Sequence, residues 1–220
     1  KKDATVNAEV IGCAGAIQSP QILELSGIGQ TELLKNNGID VQHELPGVGE
    51  NYRDHYAARM NWRVNKPISL NEETRGLNLV KEVFKYALTR RGVLTWTAGV
   101  GHAFMRTRQE LETPDVQFFF VHGSFASSKD RKLDTEPGMT LACYQCRPES
   151  QGTIHIGSPN PYDAPKIRPN FLDSRLDQET LIAGLHLCRS IGETDAMKQH
   201  ISHEMNPGTE VKTDEEMLQF

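Results

Sequence analysis

A chain of 220 residues, 37% hydrophobic and 24% charged, carries enough apolar material for a sizeable core in one large or two small domains. Its net charge of −5, with both signs mixed along the chain, offers no basic tract of the kind that nucleic-acid binding requires. No apolar run approaches the roughly 20 residues that span a bilayer, and the start Lys1-Lys2-Asp3 lacks the apolar core of a secretion signal.

The chain opens on a β-type run from Thr5 to Gly12 that enters a small-residue turn, Cys13-Ala14-Gly15-Ala16. Ser19 then reads as an N-cap and Pro20 as the first helical residue, where its missing N–H costs nothing. Gly27 and Gly29 stop this helix. Strand, small-residue turn and helix N-terminus together form the geometry that lets backbone amides approach an anionic cofactor, although many such units bind nothing. Thr31 to Asn37 predicts a short helix ended by Gly38, Ile39 to His43 a brief strand, and Pro46-Gly47-Val48-Gly49 a turn. The pairs Gly27/Gly29, Gly47/Gly49 and Gly99/Gly101 lack a glycine three residues on, where Glu32, Tyr52 and Phe104 stand, so the dinucleotide fingerprint is missing.

From Tyr56 the patterning changes. Tyr56 to Val64 is strand-like, and a helix N-cap region lies around Asn71. Leu77, Val80, Phe84, Ala87 and Leu88 recur at helical spacing before Gly92, which reads as a core-packing stripe. Gly101 to Thr107 and Asp115 to Val121 read as strands. On the second, Val116, Phe118, Phe120 and His122 share one face and Gln117, Phe119 and Val121 the other. Apolar residues on both faces imply cover on both sides, either as a buried core strand or with one face lining a ligand pocket. Ser124 to Pro137 is polar and reads as a loop, Met139 to Arg147 and Gly152 to Gly157 as strands, and Gln178 to Ile191 as an amphipathic helix with Leu181, Ile182, Leu185, Cys188 and Ile191 on one stripe. His200-x-x-His203 falls at helical spacing without a third metal ligand, so surface histidines are expected there. Thr213 to Leu218 reads as a capped helix start.

Of the four cysteines, Cys13, Cys143, Cys146 and Cys188, only Cys143-x-x-Cys146 has metal-like spacing. On a strand those two positions face opposite sides, which argues against shared chelation, and no metal site is expected. The cysteine pattern fits a reducing compartment.

Several fixed-spacing blocks carry more than composition does. Gly15-Ala16-x-x-Ser19-Pro20-x-Ile22-Leu23-x-x-Ser26-Gly27-Ile28-Gly29 resembles the second signature of the glucose–methanol–choline (GMC) family of FAD-dependent oxidoreductases. Leu45-Pro46-Gly47-Val48-Gly49-Glu50-Asn51-Tyr52-Arg53-Asp54-His55 resembles that family's L-P-G-V-G-x-N-L-x-D-H block, with Tyr52 in place of leucine. The R-P-E-S-Q-G run from Arg147, and Pro165 to Leu172, are similar to the opening of its C-terminal region. The wording leans towards the choline-dehydrogenase-like and the aryl-alcohol or furfural oxidase branches.

The resemblance implies a mixed fold of α/β and α+β parts. Residues 1–55 would be the tail of an FAD-binding Rossmann-like domain. Residues 56–220 would form a largely antiparallel substrate-binding sheet with flanking helices, and 147–220 would begin the family's C-terminal region. It also implies a longer protein, whose catalytic histidine motif is expected downstream of Phe220; no catalytic residue is assigned within this chain. In the family, the hydroxyl proton of an alcohol passes to a base while the carbon-bound hydrogen leaves as hydride to the flavin, and oxygen or another acceptor takes the electrons. Cys13, Ala14, Gly15 and Ala16 are the expected FAD-contacting residues, and Phe118, Phe120 and His122 the expected pocket wall. The rival readings are a flavin-binding lyase of the hydroxynitrile lyase type and a binding module made of the sheet alone. Separated from the remainder of the same polypeptide, residues 1–55 are expected to leave strand edges unpaired, so the isolated piece should be poorly stable or associate.

Overall fold

The structure, a computed structural model, describes residues 5–97, 99–127 and 132–220. In chain order its elements are α1 (Gly15–Leu25), β1 (Ile28–Gly29), α2 (Thr31–Asn36), β2 (His43–Glu44), β3 (Ala57–Val64), α3 (Leu70–Glu73), α4 (Gly76–Thr89), β4 (Gly101–Met105), β5 (Val116–Val121), β6 (Phe125–Ser127), β7 (Lys132–Leu133), β8 (Gly138–Gln145), β9 (Thr153–His155), β10 (Lys166–Arg168), α5 (Arg175–Gly192), α6 (Asp195–Lys198), β11 (Ile201–Asn206) and α7 (Asp214–Gln219). They divide into two compact units, Lys1–Asp54 with Glu149–Asp173, and His55–Pro148 with Ser174–Phe220.

In the first unit β1 and β2 pair in parallel and β9 pairs antiparallel with β10. Residues 149–173 belong here, held in part by the two backbone bonds between Tyr52 and Gly152. The second unit is built on a five-stranded antiparallel sheet in the order β11-β3-β8-β5-β4. Cys143 of β8 sits opposite Phe118 of β5 and Ala58 of β3, so these residues share a face. The helix α5 packs on that face, burying Leu181, Ile182, Leu185 and Cys188. Each such side chain contributes roughly 1.5–3 kcal/mol by leaving water. Gly184 permits the close approach: a Cβ there would stand 3.1 Å from the Cys143 sulfur and 3.5 Å from Val116.

The connection from Gly123 to Pro137 is anchored from the opposite direction by one side chain. Ser69 caps α3 in a reciprocal box with Glu72, which fixes the backbone next to Asn71. Asn71, fully buried, donates its amide to the carbonyls of Ser124 (3.1 Å) and Glu136 (2.9 Å) and accepts from the Ser124 N–H (3.0 Å).

Five expectations are corrected. Thr5 to Gly12 forms no strand; Val10 and Ile11 are exposed, and no described strand lies alongside to accept their backbone groups. The first helix begins at Gly15, so Ser19 and Pro20 fall inside it; the proline ring leaves the Ala16 carbonyl without its i+4 donor. The α4 stripe of Leu77, Val80, Phe84, Ala87 and Leu88 is not core, because no residue of that helix is buried. Ser124 to Pro137 carries a hairpin, β6–β7, rather than a plain loop, with residues 128–131 outside the described ones. His200 and His203 lie at and in β11, where a spacing of three places residues on opposite faces, so helical pairing is lost.

Replacing Asn71 by alanine takes the acceptor from the buried Ser124 N–H and the amide from the Glu136 carbonyl, while the Ser124 carbonyl keeps the Asp134 N–H, and the denaturant midpoint of the full-length protein should fall by the equivalent of about 1–3 kcal/mol. A change below about 0.5 kcal/mol would show that this anchor is dispensable.

Candidate cofactor and substrate sites

In the first unit, α1 turns its polar side chains inward. Gln21 and Glu24 are buried while Ile17, Ile22 and Leu23 are exposed. Glu24, with no exposure, is satisfied on both oxygens: Oε1 lies 2.6 Å from His155 Nδ1, and Oε2 accepts the Ile156 N–H at 2.8 Å. His155 Nε2 lies 3.0 Å from Glu50, whose carboxylate also accepts from Gln30 at 2.6 Å. Gln21 donates to the Asp163 carbonyl at 2.8 Å. Gly49, at φ +79°, passes so close to β9 that a Cβ would meet the Ile154 carbonyl at 2.3 Å; its own carbonyl accepts the Ile154 N–H at 2.7 Å.

These ties hold the Gly47–Tyr52 segment beside the N-terminal half of α1. Between them is a cavity of about 660 Å³ whose wall includes Ala16, Ser19, Pro20, Gly47, Gly49 and Asn51. The sequence places Cys13, Ala14, Gly15 and Ala16 in a turn before the helix, whereas in the structure Ala14 is the N-cap residue and Gly15, at φ +80°, and Ala16 already belong to α1. Of the four, Ala16 lines the cavity. The N-terminus of α1 carries no side-chain cap and no acidic residue in its first turn, and Cβ atoms built at Gly12, Gly15 and Gly47 meet nothing within 4 Å. An uncapped helix N-terminus with open small-residue backbone beside a cavity fits an anionic group such as a dinucleotide phosphate. The Gln21/Glu24/His155 network was missed from the sequence; its signal is Gln21 and Glu24, three apart and so on one face of α1.

In the second unit, the pocket-wall triad separates. Phe118 and Phe120 line a cavity of about 340 Å³ beneath the C-terminal end of α5, together with Trp62, Leu141, Gly192 and Met197. His122 is not in that wall. It lies beyond the end of β5, edge-on to Trp96 with ring centroids 4.9 Å apart, and neither ring nitrogen has a partner among the described residues. Burial pushes its pKa down. The opposite face of β5 is not covered by α5: Gln117 and Phe119 are half-buried, His102 and Phe104 on the neighbouring strand are exposed, and Gln117 Nε2 lies 3.3 Å from His102 Nδ1. Cover on both sides therefore holds for β8, not for the whole of β5. Among the described residues no group of three His, Cys, Asp or Glu side chains is placed to hold a metal ion, and no helix is long and apolar enough to cross a membrane.

Sequence comparison defines the class to which the chain belongs. The N-terminal GMC oxidoreductase profile matches residues 1–57 and the C-terminal one residues 148–220. The chain belongs to the GMC oxidoreductase family. It is 34% identical to an alcohol dehydrogenase (acceptor) of Pseudomonas putida over 218 residues, which is 97% of this chain and 39% of that protein. It is 33% identical to an oxygen-dependent choline dehydrogenase of Escherichia coli over 217 residues, 99% of this chain and 39% of that one. Among solved structures, a formate oxidase superposes with a TM-score of 0.82 at 22% identity, covering 93% of this chain and 40% of its own. A fungal aryl-alcohol oxidase gives 0.74 at 18% identity, covering 94% of this chain and 42% of its own. The chain thus spans about two-fifths of the length of these relatives.

His122 supplies a pH signature. Its folded pKa lies below the ordinary 6.5, so its stabilising contribution is complete above that value and is lost as pH falls through the folded one. Thermal midpoints of the full-length protein should drop more steeply below about pH 6.5 than those of a His122→Phe variant. Parallel curves would show that the ring does not titrate with unfolding.

Proposed function

We propose that this chain is the middle portion of an FAD-dependent enzyme that oxidises an alcohol, a CH–OH donor, to an aldehyde or ketone. The observation that carries the proposal is the ordered match of both family domains along one chain, with an anion-compatible helix start in the first unit. Bound FAD would act as the acceptor of the two electrons and the hydrogen removed from carbon. In this reading Cys13 to Ala16 bring backbone close to the cofactor, their small side chains permitting the approach, and Gly47 to Asn51 close the same cavity from the other side. The remainder of the polypeptide supplies the base, and oxygen or another acceptor reoxidises the flavin.

The sheet of the second unit is the proposed substrate wall, and its two faces differ in what they offer. Phe118 is 1% exposed beneath α5, so its ring is committed to the core, and the adjoining cavity with Phe120 has room only for an apolar group. The face bearing Gln117, Phe119 and His102 combines an aromatic ring with hydrogen-bonding side chains and is free of α5. A surface of that composition suits an alcohol, which has an apolar body and one polar group.

Two experiments test these readings. In the purified full-length protein, anaerobic addition of a panel of primary alcohols should bleach an oxidised-flavin absorption spectrum. Bound flavin that no alcohol bleaches would move the assignment to a lyase, and absence of flavin would overturn it. Phe119→Ala should raise KM for the best alcohol by about tenfold with an unchanged melting temperature, while Phe118→Ala should destabilise the fold by about 3–5 kcal/mol. The reverse pattern would return the substrate to the Phe118/Phe120/His122 side.

A further inference from the structure

The helix α4 and the turn after it are not used by the reading above. This helix has its apolar residues concentrated on the outward side: Leu77 is 88%, Phe84 64% and Leu88 83% exposed, and Val80 and Val83 flank them. The inward side is thin, consisting of Glu82 and Tyr86, both half-buried; the Glu82 carboxylate is bonded to Lys85 at 3.1 Å and accepts the Val93 N–H at 3.1 Å. Beyond the helix, Leu94 and Trp96 are also exposed.

The charge around this stripe is one-sided. Between Arg75 and Arg91 there are five cations, Arg75, Lys81, Lys85, Arg90 and Arg91, and one acid, Glu82, within a chain whose net charge is −5. At 100° per residue, Lys81 and Lys85 border the apolar arc on one side, and Arg90, the left-handed C-cap residue just past the helix, lays its guanidinium over the Tyr86 ring at 5.2 Å. Long cationic side chains flanking an apolar arc can extend their charges sideways while the arc itself is buried. Trp96, half-exposed beyond the helix and edge-on to His122, has the amphipathic character favoured at a membrane–water boundary.

We propose that α4 lies in the surface of an anionic phospholipid bilayer, with Leu77, Val80, Phe84 and Leu88 entering the acyl boundary and Lys81, Lys85, Arg90 and Arg91 meeting lipid phosphates. The cations decide this occupant. A second copy docking the same face by two-fold symmetry would bring these like charges together across the contact. A helix lying parallel to the surface needs no membrane span, and the apolar arc and its basic borders are what distinguish such a helix. The attachment would be reversible and salt-sensitive, since one short amphipathic helix provides a limited buried area.

The test is co-sedimentation of the full-length, flavin-loaded protein with vesicles of phosphatidylcholine alone and of phosphatidylcholine containing one-third phosphatidylglycerol. Binding should be confined largely to the phosphatidylglycerol vesicles and be released by high salt. Phe84→Ser should weaken it by about tenfold or more. The double variant Lys81→Glu, Lys85→Glu, which leaves the apolar arc intact, should do the same by removing the charge attraction. Tyr162→Ser, altering an exposed aromatic of the other unit, should leave binding unchanged. Should Phe84→Ser fail to fold, the double charge variant decides. Absence of vesicle binding by the wild type overturns the proposal. If Phe84→Ser then splits an oligomer on gel filtration, a second copy covers the face; if it lowers flavin content or the melting temperature, the rest of the polypeptide does.

Discussion

A carboxylate with no exposure to water must be paired, and in the first unit that requirement falls on Glu24. Its two oxygens are taken by the His155 ring and the Ile156 N–H, and His155 passes the connection on to Glu50. One buried charge therefore ties three stretches that lie far apart in sequence: the first helix, the glycine-rich turn at Gly47–Gly49, and β9. Everything said of the cofactor cavity depends on this, because the turn and the helix start are its two walls. The same pairing explains why α1 is inverted, with polar residues inside and apolar ones outside. Its inner contacts are hydrogen bonds, and Ile17, Ile22 and Leu23 stay exposed on its outer side.

In the second unit the controlling constraint is steric. The sheet accepts α5 at short range because Gly184 faces Cys143 and Val116, and Gly192 faces the Trp62 indole, where a Cβ would come within 3.1 Å. That close seating commits one face of the sheet to the core and leaves the other free of α5. The strand β5 thus has two unequal sides: Phe118 is a packing residue, and Phe119, one position along, is available to something outside the core. A one-residue distinction of this kind is the consequence of a two-residue period.

Much of this was legible in the sequence. The strands β3, β5 and β8 and the helix α5 follow from alternation and from a helical stripe, and Thr213 caps α7 as its spacing with Glu216 implies. Among the misread segments, four show the physical reason most plainly. Thr5 to Gly12 has strand propensity, but a strand exists only where another strand pairs with it. Ser19-Pro20 has the chemistry of a helix start, yet the helix already begins at Gly15. The α4 stripe has the periodicity of a core helix, and periodicity reports a shared face without saying what covers it. His122 follows the parity of Phe118 and Phe120, but it lies past the strand's end, where alternation no longer applies. The Glu24–His155 pair could not be read, since its members are 131 residues apart and no local rule joins them.

The four cysteines, unremarkable as ligands, differ sharply in surroundings. Cys143 of β8 and Cys188 of α5 are buried between the sheet and that helix, where the Cys143 contact and desolvation push the Cys188 thiol far up, and burial raises Cys146 as well. Cys13 alone of the four is exposed, and it stands two residues before the start of α1. A thiol-directed spectroscopic tag would therefore settle by preference beside the proposed cofactor cavity without any engineered cysteine. The buried Cys143 and Cys188 thiols would stay silent until the sheet and α5 part. One chain thus carries a native attachment point for reporting on cofactor arrival and a separate, built-in marker of unfolding.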